Sequence, residues 1–459
     1  MFRTPALMKR CAALLLALAM AMAQAGLTHA QTAEAPQLIR DAEIEGLMRL
    51  YTRPIFKAAG INPKAVRVYL IADPRINAFV AGGQRIFVNT GLITQAKTPN
   101  EVIGVLAHES GHIAGGHLAR MGVELDRANV TSIIGMLAGI AAVAGGALSG
   151  NSEFGKAGQG VMMGSQGLAQ RNFLAYQRSM EASADQAALQ YLNATGQSAK
   201  GMITLFDKLG REAIATLHDA DPYVYSHPMP FDRVRNLEEA AKKSPNYDRS
   251  DPPELMLRHH LAQAKLAGFM ESAQAVMQRY PKSDQSLPGR YARAIDMFRR
   301  GDIANALPVI DSLIEDLPQN PYFWELKGQA LLENGRAREA VTPLQHAIKL
   351  LPNNGLIQIL MAQALVDTES KENAQLALKM LRQAQKSEGD SPVTYAYMAR
   401  AYGITGEIAK AELATAEAAL MRGDKKLALE KAKSAQSRFK TGTPEWTRAN
   451  DILNFAGRD

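Results

Sequence analysis

The sequence predicts two folded domains, an α+β domain that is mostly helical with a small sheet, followed by an all-α solenoid of paired helices. Three observations carry this. Short β-forming runs between Val66 and Asn89 are separated by turn residues, an apolar helix with a capping signature follows at Thr98-Pro99-Asn100-Glu101, and the C-terminal part repeats every 34 residues. At 459 residues the chain exceeds the size at which one core keeps growing, so two domains plus a targeting segment are expected.

Residues 1–30 read as a secretory signal peptide. Arg3, Lys9 and Arg10 give a positive start, and Cys11 to Ala25 is almost wholly Ala, Leu and Met. Cleavage after Ala30 is favoured by Thr28-His29-Ala30, with Ala23 and Ala25 as alternatives. A retained anchor is the other reading, but the apolar run is shorter than the ~20 residues a span needs. Cys11, the sole cysteine, lies inside this segment, so the mature chain is expected to lack disulfides, thiol catalysis and thiolate ligands. Chemistry then falls to His, Asp, Glu or Ser. The formal charge of +7 is spread along the chain rather than gathered in a tract, which gives no reason to expect nucleic acid as a partner.

From Gln37 to Ala59, Leu38, Ile39, Ile44, Leu47, Met48, Leu50 and Tyr51 recur at helical spacing, which predicts a leading helix. Val66 to Ile71, Ile76 to Val80 and Arg85 to Asn89 read as three short strands, with Asp73-Pro74 and Gly82-Gly83 as turns, and a meander fits them. Thr98 to Glu101 satisfies the capping-box pattern with proline at the first helical position, so a helix starts there. Residues 131–150 are uncharged and rich in Gly and Ala, and a helix resumes through Leu174, Met180, Ala184, Ala188 and Leu192. Ser244-Pro245-Asn246 and Asp251-Pro252-Pro253 read as a linker. The expected domains are 31–250 and 251–459.

In the second domain Gly301, Ala306 and Pro318 recur as Gly335, Ala340 and Pro352, each 34 residues on. That is the tetratricopeptide period, and Trp324, Gly328, Leu331, Leu344 and Ala347 occupy its large and small positions. At least four repeats are expected, presenting a concave surface suited to peptide or protein segments. A helical appendage without a ligand is the plainer alternative.

The chemistry lies in His108-Glu109-Ser110-Gly111-His112. Residues four apart share a helix face, so His108 and His112 can offer two imidazole nitrogens to one ion, and Glu109 is the candidate general base. A catalytic zinc needs a third protein ligand, commonly a carboxylate oxygen, and a position open to water. Glu181 is the candidate, with Asp185 one turn on to accept a ligand's free ring N–H. His117 is the rival third ligand. It lies only five residues after His112, where a histidine six residues on would be expected, and it reads as a helix-end residue or one supporting a ligand. One zinc per chain and a zincin-like metallopeptidase fold are expected. Other divalent ions would bind the same donors.

Ile76-Asn77-Ala78-Phe79, Asn89-Thr90-Gly91-Leu92-Ile93, the His108–His112 helix and Glu181-Ala182-Ser183-Ala184-Asp185 together resemble the prenyl-protease-type gluzincin peptidases over roughly residues 38–240. The resemblance implies His108, His112 and Glu181 as ligands and Glu109 as catalytic base. It also implies that Asn77, Ala78 and Phe79 lie on a strand that pairs with extended substrate, with Gly82 and Gly83 near the cleft. It extends to Ser226-His227-Pro228 and to Arg233. Without it His227 reads as part of a rigid turn. With it, His227 stands over the metal, either occupying the fourth position and keeping the enzyme latent, or swinging away to polarise substrate.

With signal segment and repeats added, the whole chain is similar to periplasmic members of that family. They imply an endopeptidase that removes stalled or misfolded outer-membrane proteins, with the repeats engaging clients or the barrel assembly machinery. The alternative is chiefly a repeat-based chaperone or assembly factor with minor proteolysis. Residues 131–150 are about long enough to cross a bilayer. One crossing, however, would put the His108–His112 helix and Glu181 on opposite sides, so a surface loop or helical hairpin that covers the cleft or touches the membrane is expected, with a buried core hairpin as the plainer alternative.

Overall fold

The computed structural model describes residues 37–120, 176–215, 223, 227 and 231–457. The signal-peptide expectation, the segment 131–150, Ser226 and Pro228 lie outside the described residues. Among the described residues no helix is long and apolar enough to cross a membrane.

The described chain opens with strand β1 (Leu38–Ile39) and helix α1 (Ala42–Ala58), whose first turn is capped by Asp41 accepting from the Ile44 amide at 2.8 Å. Strands β2 (Arg67–Ile71), β3 (Ala78–Ala81) and β4 (Arg85–Asn89) follow, then α2 (Thr90–Gln95) and α3 (Pro99–Ala114). The strand order is β1-β2-β4-β3. β2 runs parallel to β4, and β3 forms an antiparallel hairpin with it through Gly82-Gly83-Gln84. This corrects the expected meander. The chain bends at Asp73-Pro74 as expected, but the Asp73 carbonyl accepts from the Gly91 amide and the Thr90 hydroxyl, which ties this bend to the start of α2, and the strand that follows pairs with β4 rather than β2. β3 thus becomes an edge strand, packed against α3.

Helix α3 starts where the capping signature places it. Thr98 accepts from the Glu101 amide, while the Glu101 carboxylate reaches back to the Lys97 amide at 2.8 Å rather than to that of the cap residue. The next elements are α4 (176–194), α5 (Lys200–Ala215) and α6 (Phe231–Ala241). Leu70, Ile86, Val88, Val105, Leu106 and Phe206 share one buried core, each contributing roughly 1.5–3 kcal/mol by leaving water.

Twelve helices follow: α7 (Pro253–Met270), α8 (Ala273–Arg279), α9 (Leu287–Arg299), α10 (Ile303–Asp316), α11 (Pro321–Glu333), α12 (Ala337–Leu350), α13 (Gly355–Asp367), α14 (Lys371–Glu388), α15 (Pro392–Thr405), α16 (Ile408–Met421), α17 (Lys425–Arg438) and α18 (Pro444–Ala456). Successive helices pack in pairs. Gly301 and Gly335 stand at equivalent turns with φ of 80° and 74°, which is why the period keeps glycine there. Trp324 stacks on His346 and donates to the Pro318 carbonyl at 2.9 Å, tying the large repeat position to the turn proline.

The described residues from Ile39 onward form one compact unit, and α7 joins its two parts. Ala262 and Leu266 pack into the first core while Leu261 and Ala264 pack into the repeat core. His259 is fully buried, its Nε2 3.1 Å from the Ala96 carbonyl and its Nδ1 3.1 Å from the Tyr51 hydroxyl. A carbonyl only accepts, so Nε2 carries the proton and the tyrosine donates to Nδ1. Beside it Lys265 is buried among Asp41 at 2.8 Å, Glu43 at 3.5 Å and Glu325 at 3.6 Å, and Tyr291 donates to Glu43 at 2.8 Å.

Candidate metal centre

Helix α3 carries His108 and His112 one turn apart, and their Nε2 atoms lie 3.0 Å from each other. Glu181 comes from α4, 3.4 Å from His108 Nε2 through Oε2 and 3.4 Å from His112 Nε2 through Oε1. His227 Nδ1 completes the group, 3.4 Å from His108 Nε2 and 3.0 Å from Glu181 Oε2. All four donor atoms fall within 4.8 Å of one another. Donors ~2.0–2.1 Å from a tetrahedral zinc stand about 3.3–3.4 Å apart, so three imidazole nitrogens and a carboxylate oxygen at these separations suit such an ion.

Close approach of α3 and α4 is what brings Glu181 into reach. A β-carbon on Gly111 would lie 2.9 Å from the Ala184 carbonyl oxygen and 3.0 Å from Ala184 Cα, so only glycine lets the two backbones come so near. Ala184 and Ala188 keep the facing side of α4 equally small.

The supporting shell is charged. Asp185 Oδ1 lies 3.0 Å from His108 Nδ1, and its charge favours the proton on that nitrogen, which faces away from the cluster. Arg233 on α6 donates to Asp185 at 2.7 and 2.8 Å and pairs with Glu181 at 3.0 Å. Burial alone would raise both carboxylates. Contact with His108 and His227 nevertheless holds Glu181 well below the usual range, and Arg233 with His108 holds Asp185 down. Burial would likewise lower His108, but Asp185 and Glu181 raise it to about 9. Burial and the His108 charge push His112 down to about 2.

Glu109 is 1% exposed and points to the same place: its Oε1 lies 3.5 Å from His227 Nε2 and 3.5 Å from the Tyr223 hydroxyl. Burial raises its pKa, in spite of the neighbouring His227 and His108. The structure therefore gathers Glu109, His108, His112, Glu181, Asp185, His227 and Arg233 into one centre. It places Ala78 and Phe79 on β3, Asn77 just before it, and Gly82 and Gly83 in the loop to β4. His117 stands outside the donor group, with its Nδ1 3.0 Å from His112 Nδ1. Burial and the Arg120 charge hold it below the usual imidazole range. Tyr223 went unnoticed in the sequence. Its only local signal is helical spacing to His227, whose amide donates to the Tyr223 carbonyl at 2.8 Å.

Comparison with known proteins agrees with this geometry. Residues 41–241 match the profile of peptidase family M48. The chain is 22% identical over 413 residues to a beta-barrel assembly-enhancing protease of Yersinia pestis, covering 88% of this chain and 82% of that one. It is 22% identical over 387 residues to the protein of the same name in Escherichia coli K12, covering 83% and 76%. Over 186 residues it is 32% identical to the metalloprotease LoiP of Escherichia coli K12, covering 39% of this chain and 66% of that one.

Proposed function

We propose, from the premise that residues 41–241 are a peptidase family M48 domain and the chain a metallopeptidase, that it is a zinc-dependent endopeptidase of the periplasm. Its substrates in this reading are misfolded or stalled outer-membrane proteins, whose assembly it also supports. The observation that carries the reading is the buried Glu109 carboxylate beside a four-donor cluster. His108, His112 and Glu181 would hold the ion, with His227 beside them as a further donor. When bound there, a zinc ion would supply Lewis acidity toward a peptide carbonyl and water.

Glu109 takes the proton from that water and returns it to the departing amine. Burial raises its pKa, which makes it the stronger base toward that water. Asp185 keeps the His108 proton on Nδ1, leaving Nε2 free to donate its lone pair. Arg233 keeps Asp185 and Glu181 ionised. His227 lies against the donor cluster through Nδ1 and against Glu109 through Nε2; in this reading it keeps the enzyme latent, and the ring would swing away for water or substrate to enter. An extended substrate adds to the outer edge of β3 by backbone pairing, beside α3.

The barrel-assembly clients come from the names of the relatives, and the solenoid of paired helices supports protein partners for the second domain. Glu109→Gln should retain the ion and lose cleavage of an unfolded protein substrate by at least ~100-fold. An active variant would remove Glu109 from the mechanism. Complementation by the same variant separates the alternative reading, since full rescue would make the chain chiefly a chaperone. His227→Ala should raise basal proteolysis several-fold, measured by release of fluorescent peptides. Unchanged or lower activity would contradict gating.

A further inference from the structure

Helix α3 ends at Ala114, and Gly116, with φ of 61°, breaks it so that residues 117–120 start a new helical turn. The break sets His117 against the last turn of α3. Its ring meets that of His112 edge-on, 5.0 Å between centroids and 84° between planes, and it is 4% exposed. The ring lies where a side chain at Gly115 would stand, since a β-carbon there would overlap the imidazole. Two glycines in succession are thus what seat this histidine.

The two Nδ1 atoms are 3.0 Å apart, so they share one proton. A histidine that ligates through Nε2 carries its proton on Nδ1, hence His112 donates and His117 accepts. His108 receives the same service from a carboxylate, Asp185 at 3.0 Å. We propose that His117 is a positioning residue that fixes the Nδ1–H tautomer and the ring orientation of His112 as a neutral acceptor, with Gly115 and Gly116 supplying the room and the turn it needs. The inference rests on the reading of His112 as a metal ligand. It does not use proteolysis.

The test is zinc affinity of the full chain, measured by competition with a chromophoric chelator. His117→Leu and His117→Asn are nearly isosteric, but only asparagine keeps an acceptor at the δ position. Leucine should weaken zinc 10- to 100-fold, asparagine should stay within about threefold of wild type, and Gly115→Val, which keeps His117 but excludes its ring, should resemble leucine. Equal loss in the leucine and asparagine variants would reduce His117 to packing and overturn the proposal. So would wild-type affinity in the leucine variant. His112→Ala is the control: if it binds zinc as wild type does, the ligand assignment itself falls, and the proposal with it.

Discussion

Gly111 sits between the two histidines of α3 and has no side chain to contribute, yet the centre depends on it. With Ala184 backbone atoms about where a β-carbon would lie, Gly111→Val must drive α4 away from α3 and take Glu181 out of reach of His108 and His112. We expect that variant to bind zinc at least ~10-fold more weakly while keeping its helical circular dichroism. Unchanged affinity would show that the helices tolerate separation. At this scale the legible part of the site was the local part. His108, Glu109 and His112 declare themselves because helical spacing alone puts them together. Glu181 stands far along the chain, and only its place on a helix with Asp185 one turn on, supported by resemblance, marked it out. Tyr223 had no such marker, because its contact with Glu109 is made by tertiary packing.

Elements were legible where their signals are local. The Thr98-Pro99 cap gave the start of α3, whereas the topology of the sheet was misread because strand order depends on where the Asp73 carbonyl finds its donors. The joint made by α7 was also hidden, since the carboxylates that Lys265 meets, Asp41, Glu43 and Glu325, stand far from it in the sequence. Three carboxylates, Asp41, Glu43 and Glu325, face one Lys265 there, and burial pushes Glu325 up from its ordinary 4.5 to about 7 despite the lysine. Between those values the folded chain holds a proton that the unfolded chain has lost. Its contribution to stability is therefore full below about pH 4.5 and falls as pH rises toward 7, by at most ~1.4 kcal/mol per unit. Glu325→Gln removes the titration. Its Tm relative to wild type should climb between pH 5 and pH 7.5, and a difference independent of pH would contradict this assignment.

At the scale of the whole molecule, the 34-residue recurrence proved the most readable feature, because each helix pair answers only to its neighbours and needs no distant partner to be recognised. The peptidase part is the reverse case. Its centre draws on α3, α4, α6, Tyr223 and His227, so a change in any one of them is felt at the donor cluster. The most direct test is zinc per chain by elemental mass spectrometry on the purified protein, with Glu181→Ala prepared alongside. About one zinc in wild type and a marked loss in the variant is the predicted result. Little zinc in either would contradict the metallopeptidase centre, and full retention in the variant would show that Glu181 is not its carboxylate ligand.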